Sequence, residues 1–309
     1  MPASGEGNHK SSFLTDFALG GASAAVAKTA TAPIERVKLL IQTQDANHRI
    51  RSGEIPPYSS ITNCFSRVYR EQGALALWRG NFTNVIRYFP TQAFNFAFKE
   101  SAKDLLPRVD SKKQFGKFVL INMVSGGIAG AGSLAIVYPL DYARTRLAAD
   151  VGSGKRDFEG LWDCLKRTAS GPRGALALYN GFGVSVLGII PYRGVYFGLY
   201  DSAREKNPFR DDPGLVGLLS KWAQAQVVTI CAGYASYPFD TVRRRLQMQS
   251  EKPTSDWLYA GTRDCFRKIY HDEGFTAFYK GAWANVIRTV GAALVLTIYD
   301  QMKTIMHLH

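Results

Sequence analysis

Three acid–base pairs recur at one spacing along this 309-residue chain. Pro33 is followed by Glu35 and Lys38, Pro139 by Asp141 and Arg144, and Pro238 by Asp240 and Arg243. No phosphate-binding glycine loop, dinucleotide fingerprint or HExxH string accompanies them, and the five histidines show no metal-ligand spacing. No constellation for catalysis is present, so the chain reads as a non-enzyme without a metal or cofactor. What opposite charges on a repeated helical position can do is pair. If three such helices surround one axis, each acid meets the base of the next repeat: Glu35 with Arg144, Asp141 with Arg243, Asp240 with Lys38.

A second set has a spacing of three: Glu100 with Lys103, Asp201 with Arg204, Asp300 with Lys303. The same logic pairs Glu100 with Arg204, Asp201 with Lys303 and Asp300 with Lys103, at the opposite mouth. Exposed ion pairs contribute only about 0–1 kcal/mol each, which suits a closure that opens in every cycle. Ordinary helix-end charges would explain any one of these motifs, but not six in threefold register.

Cations that break the threefold pattern are Lys28, Arg87, Arg193, Arg244 and Arg288, all mid-helix and without a symmetric acid. An arginine fork binds phosphate bidentately. Arg193 reads equally as a side chain snorkelling to a lipid headgroup. Tyr192, Tyr196 and Tyr200 are four apart and share a helix face with Arg204. With Gly188 they offer either a flat wall for a purine or simple helix packing.

The elements that must position these residues are repeats. Trp78-Arg79-Gly80, Tyr179-Asn180-Gly181 and Tyr279-Lys280-Gly281 keep the same beat as the prolines, and so do Cys64, Cys164 and Cys265. Each repeat reads as a long helix, a basic connector with a short helix, and a second long helix. The first long helices span 13–44, 114–149 and 214–249. The second span 82–106, 182–206 and 282–307, and the short helices 60–71, 159–170 and 262–272. Repeat boundaries fall at 1–109, 110–209 and 210–309. A proline inside each first helix removes a hydrogen bond and bends the chain.

Mean hydropathy of −0.12 resembles a soluble protein. Polar faces turned inward reconcile that value with membrane spans: Lys28, Glu35 and Gln42 are seven apart and share one face. Gly20-Gly21 and Gly126-Gly127-Ile128-Ala129-Gly130 are poor in soluble helices and good for close packing in lipid. The expected fold is an all-α membrane protein with six transmembrane helices in three pseudo-threefold repeats. An even number of spans puts both termini on one side. The connectors 45–81, 150–181 and 250–281 hold five Lys/Arg each and would face the side equivalent to the cytoplasm in the positive-inside rule.

The net charge of +13 points to anionic partners. A basic helical-repeat protein that binds nucleic acid is the reading from another class, and it would require solubility without detergent and salt-dependent DNA binding. Four cysteines without a CxxC pair imply free thiols in a reducing compartment. Residues 1–10 carry neither a secretory nor a transit pattern, so an organelle address is expected to be internal.

The threefold P-x-[DE]-x-x-[KR] pattern with the aromatic–basic–Gly strings resembles the mitochondrial carrier family over nearly the whole chain. The run Arg243-Arg244-Arg245-Leu246-Gln247-Met248 is similar to the RRRMMM signature of its ADP/ATP-exchanging branch, and 31–38, 84–92 and 140–150 resemble that branch too. The resemblance implies a monomeric antiporter of the inner mitochondrial membrane, both termini towards the intermembrane space. Its cargo would be magnesium-free ADP and ATP, exchanged by alternating access.

By the same resemblance the proline-linked pairs form a matrix gate, with Gln42 bracing one of them. The pairs at Glu100, Asp201 and Asp300 form a cytoplasmic gate. Lys28, Arg87, Arg244 and Arg288 match substrate contacts, as do Gly188, Ile189 and Tyr192. Arg79-Gly80, Gly160, Gly181, Gly261 and Gly281 match cardiolipin sites, where helix N-termini hold phosphate. Inhibitors of atractyloside and bongkrekic acid type would bind.

Departures from the family pattern carry their own expectations. Leu246 and Gln247 replace methionines; Gln247 follows Asp240 by seven, as Gln42 follows Glu35, and predicts a second brace. Pro191 predicts a local bend beside Tyr192. Asn180 stands where the other strings are basic, and predicts a weaker lipid site. Gly171-Pro172-Arg173-Gly174 replaces the usual acidic–Gly turn.

Overall fold

A computed structural model of the chain describes residues 6–105, 114–152, 156–212 and 214–305. Repeat 1 contains α1 (Glu6–Thr43), the single turn α2 (His48–Arg51), α3 (Ile61–Gln72) and α4 (Asn81–Leu105). Repeat 2 contains α5 (Phe115–Ala148), α6 (Leu161–Ala169) and α7 (Phe182–Lys206). Repeat 3 contains α8 (Leu215–Gln249), α9 (Thr262–Lys268) with a π turn over Ile269–Glu273, and α10 (Ala282–Ile305). No strand occurs among the described residues. α1 begins seven residues before the expected start at 13, and the other long-helix ends lie within two residues of the sequence expectation, the usual margin for helix ends.

Pro33, Pro139 and Pro238 lie inside α1, α5 and α8, and α7 continues through Pro191. Helices that hold proline in their interior are at home in a membrane, where neighbouring helices and local adjustments satisfy the freed carbonyls. α4 lies along α5, α7 along α8, and α10 returns to pack along α1. The six long helices therefore close into a ring.

The outer faces carry exposed Val26, Ile128, Ile136, Leu187, Ile190 and Val227. Charged residues collect inside, where Glu35, Asp141, Arg244 and Lys38 are buried. Among the described residues, 174–206 and 215–249 are apolar enough to cross a bilayer on length and hydropathy alone. This inside-out distribution is why the average hydropathy looks soluble.

Each connector folds back on the last turns of its own first helix. Cys64 and Val68 of α3 bury against Val37 and Leu40. Cys164 and Leu161 of α6 bury against Tyr142 and Ala143. Cys265 of α9, with Ile269, buries against Val242 and Leu246. Full burial of an aliphatic side chain is worth roughly 1.5–3 kcal/mol, so three small cores fix the ends of α1, α5 and α8. The cysteines keep threefold time because they fill one position in each core.

Candidate functional site

The last turns of α1, α5 and α8 meet on the axis. Glu35 pairs with Arg144 and Asp141 with Arg243, and Lys38 Nζ lies 2.9 Å from Asp240 Oδ2. Each acid thus binds the base of the following repeat, and the third repeat returns to the first.

Every pair has a neutral brace. Gln42 Nε2 donates to Asp240 Oδ2 at 3.2 Å and to Thr241 Oγ1 at 3.0 Å. Gln247 Nε2 donates to Asp141 Oδ2 at 3.3 Å. The corresponding position in repeat 2 is Ala148, and the Glu35–Arg144 pair is braced instead from α4, where Asn84 Nδ2 donates to Glu35 Oε2 at 3.0 Å. Sequence reasoning missed Asn84, which has no counterpart in the proline register.

The three consecutive arginines of α8 fan out, because successive residues turn about 100° around a helix. Arg243 joins the ring. Arg245 points to the connectors, 2.9 Å from Asp45 Oδ2 and paired with Glu273. Arg244, expected among the substrate contacts, stands in the ring. It is buried between two ring acids, 3.1 Å from Asp141 Oδ2 and 3.3 Å from Asp240 Oδ1, and also donates to Thr145. Its position four residues after Asp240 brings that acid within reach. Leu246, Gln247 and Met248 are buried, with Leu246 in the core under α9.

Above the ring lies a cavity in two lobes. One, of about 640 Å³, is lined by Arg87, Gly188, Ile189, Tyr192, Arg193 and Tyr196, and reaches Asp240 and Arg243. The other, of about 500 Å³, is lined by Lys28, Asn84, Arg87, Tyr88 and Arg288, and reaches Glu35 and Arg144. Arg87 lines both, and its Nη1 stands 3.6 Å from Asp141 Oδ1. Lys28 Nζ lies 3.3 Å from Asn84 Oδ1 and 5.1 Å from the centre of the Tyr88 ring. Arg288 Nη2 donates to Asn285 Oδ1 at 3.2 Å.

Tyr192, Tyr196 and Tyr200 stack with centroids 6.1 and 5.8 Å apart and planes within 14° and 6°. A Cβ at Gly188 would stand 3.0 Å from Phe239 Cβ, so this glycine lets α7 approach α8. Arg193 faces the cavity rather than lipid, and the bare Cα of Gly126 makes room for its guanidinium.

Of the second charged set, Arg204 is exposed on α7. The side chains of Glu100, Lys103, Asp201, Asp300 and Lys303 lie outside the described residues. Gly160 and Gly261 begin α6 and α9 without a side-chain cap, whereas Ser60 caps α3 by accepting from Asn63 N at 3.1 Å. Gly80, Gly181 and Gly281 have φ near +82°, +83° and +81°, a conformation that favours glycine. Arg79, expected at a lipid phosphate, lies 3.6 Å from Asp150 Oδ2 and donates to Gln72 Oε1 at 3.0 Å. Burial pushes the thiols of Cys64, Cys164 and Cys265 up to about 12. Among the described residues no cluster of acids, histidines and cysteines could hold a metal ion.

Comparison with known proteins adds three matches in tandem. The family model for mitochondrial carrier proteins matches residues 9–110, 116–208 and 216–309. The ADP,ATP carrier protein of Parachlorella kessleri is 58% identical over 292 residues, 94% of this chain and 84% of the relative. ADP/ATP translocase 3 of Homo sapiens is 53% identical over 297 residues, 95% of this chain and 98% of the relative. ADP/ATP translocase 2 of Rattus norvegicus is 54% identical over 295 residues, 94% and 97%. A closed ring of charged helix ends, built three times over and matched three times by one family, leads to a single conclusion: the chain belongs to the mitochondrial carrier family.

Proposed function

We propose that this protein exchanges ADP for ATP across the inner mitochondrial membrane, by alternating access to the central cavity. As a member of its family it is a multi-pass inner-membrane transporter and not an enzyme. The observation that carries the cargo assignment is Arg87, which lines both lobes and also contacts the ring acid Asp141. A phosphate chain on Lys28, Arg87 and Arg288 draws Arg87 away from Asp141. Binding energy is thereby spent on loosening the ring. The purine lies along Gly188, Ile189 and Tyr192. Names of relatives that share more than half of its residues support the nucleotide pair.

In this reading the proline-linked ring is the matrix gate, and Glu100, Lys103, Asp201, Arg204, Asp300 and Lys303 form the cytoplasmic gate. The connectors face the matrix and both termini the intermembrane space, in a monomeric unit. Free ADP carries about −3 and free ATP about −4, so exchange moves one charge, worth about 2.3 kcal/mol per 100 mV. Magnesium would cancel the anionic charge that the cavity cations meet. Cardiolipin phosphates take the uncapped first-turn amides at Gly160 and Gly261, with Gly80, Gly181 and Gly281 keeping the neighbouring turns bare. Atractyloside-type and bongkrekic-acid-type inhibitors hold one gate open each.

The test is uptake of labelled ADP or ATP by liposomes loaded with ADP, against empty liposomes. Exchange predicts uptake only with internal ADP, and its loss in Arg87→Ala. Equal competition by GTP or inorganic phosphate would reassign the cargo within the family.

A further inference from the structure

The middle residues of the aromatic–x–Gly strings are engaged with protein, and each reaches the next repeat, Arg79 and Lys280 while also holding Gln72 and Glu273 of their own. Arg79 of repeat 1 lies 3.6 Å from Asp150 Oδ2 of repeat 2. Asn180 of repeat 2 donates to Leu246 O of repeat 3 at 2.8 Å. Lys280 of repeat 3 reaches Asp45 Oδ2 of repeat 1 at 2.7 Å.

The glycine that follows each of them touches the backbone of a ring base. A Cβ on Gly80 would stand 3.1 Å from Arg144 O, on Gly181 3.0 Å from Arg243 O, and on Gly281 3.0 Å from Lys38 O. These are the three bases bound by Glu35, Asp141 and Asp240, the acids of the glycines' own repeats. Each junction between repeats is therefore bridged twice. The ion pair bridges it on the axis, and the aromatic–x–Gly string bridges it from the connector side.

We propose that Arg79, Asn180 and Lys280 are positioning residues of the gate, straps that hold each ring base against its acid and release together with the ion pair. The shared position of ring pair and strap supports this coupling. Ring pair and strap join the same two repeats at the same end of the bundle. A movement of repeat 1 away from repeat 3 that parts Asp240 from Lys38 also slides the Lys38 turn off Gly281 and draws Asp45 away from Lys280. The Lys280–Asp45 strap is part-exposed, at 32% and 28%, so this bond is weak enough to remake. The junction strapped by the neutral Asn180 has a second tie, the Arg146–Glu251 pair, with Arg146 Nη1 donating to Met248 O at 2.8 Å. This inference rests on the exchange reading for the claim that the gate opens in each cycle.

Two measurements on the full-length protein in liposomes test it. In a background free of native thiols, Asp45→Cys with Lys280→Cys is joined by a short, reducible bifunctional thiosulfonate. Exchange is expected to fall at least tenfold on cross-linking and to return with reductant. Exchange at an undiminished rate by the cross-linked protein overturns the proposal. In the native-thiol background, Lys280→Gln is expected to raise alkylation of buried Cys265 and Cys64 several-fold, and Lys280→Arg to restore protection. Equal alkylation in all three proteins overturns it too. The alkylation measurement needs no transport, so failure of the cargo assignment is told apart from failure of the straps.

Discussion

Gln247 reaches across the repeat boundary to Asp141, its amide nitrogen 3.3 Å from the carboxylate oxygen that also receives Arg243. The contact is buried and charge-assisted. Removing it in Gln247→Ala is expected to cost about 1.5–3 kcal/mol of the ligand-free closed state. Thermal unfolding in detergent checks this: the midpoint falls without ligand, while ADP still raises it. Gln42→Ala is expected to act the same way on Asp240.

Arg87 and Arg244 differ in what their loss should do. Arg87→Ala is expected to abolish both exchange and the stabilisation by ADP, because it lines both lobes of the cavity. Arg244→Ala leaves two ring acids under-compensated and is expected to destabilise the ligand-free protein, on the order of 3–5 kcal/mol. Unfolding midpoints with and without ADP separate the two patterns.

Gly181 and Gly160 form a contrasting pair. Alanine at Gly181 meets a φ of +83° and the Arg243 carbonyl at 3.0 Å, and is expected to destabilise by at least about 1–2 kcal/mol. Gly160 is extended, with open space where a Cβ would go, so Gly160→Ala is expected to leave stability in detergent unchanged.

Acid should loosen the connector of repeat 3. Burial disfavours the Glu273 charge, but the Arg245 guanidinium and Lys280 ammonium outweigh it and hold the carboxyl down to about 2. A depressed carboxyl contributes stability that is present above its unfolded value of 4.5 and lost as pH falls towards 2. Glu273→Gln is expected to flatten the stability–pH curve in that window, read by thermal unfolding at a series of pH values.

At the alkaline end the sign reverses in origin. Cys64, Cys164 and Cys265 are raised from 9.0 to about 12, so the folded state keeps thiol protons that the unfolded chain releases. Stability should decline as pH rises from 9 towards 12, and maleimide at pH 8 should modify these three thiols in the unfolded protein before the folded one. Peptide mapping after timed labelling checks the order.

The ring pairs were legible because both partners obey one register: an acid two residues after a proline and a base three residues later. Asn84 was not, because it replaces a brace that Ala148 cannot supply and comes from a different helix. Arg244 has a place in the ring that the same register does not reveal. It lacks a symmetric acid but borrows Asp240 one turn back and Asp141 across the interface. The straps were hidden because their partners share no register: Asp150 is eleven residues after its proline, Asp45 twelve after its own, and the third partner is a backbone carbonyl.

The circular order of the pairs bears on how the chain is made. With repeats 1 and 2 in place, Glu35 has found Arg144, yet Asp141 still awaits Arg243 and Lys38 still awaits Asp240. Both waiting charges are covered by residues of repeat 3, and stand at an open junction until it arrives. Closing the ring therefore waits for the last third of the chain: a protein truncated after repeat 2 is expected to hold one ring pair of three, and to lack the end-to-end closure that fixes the other two.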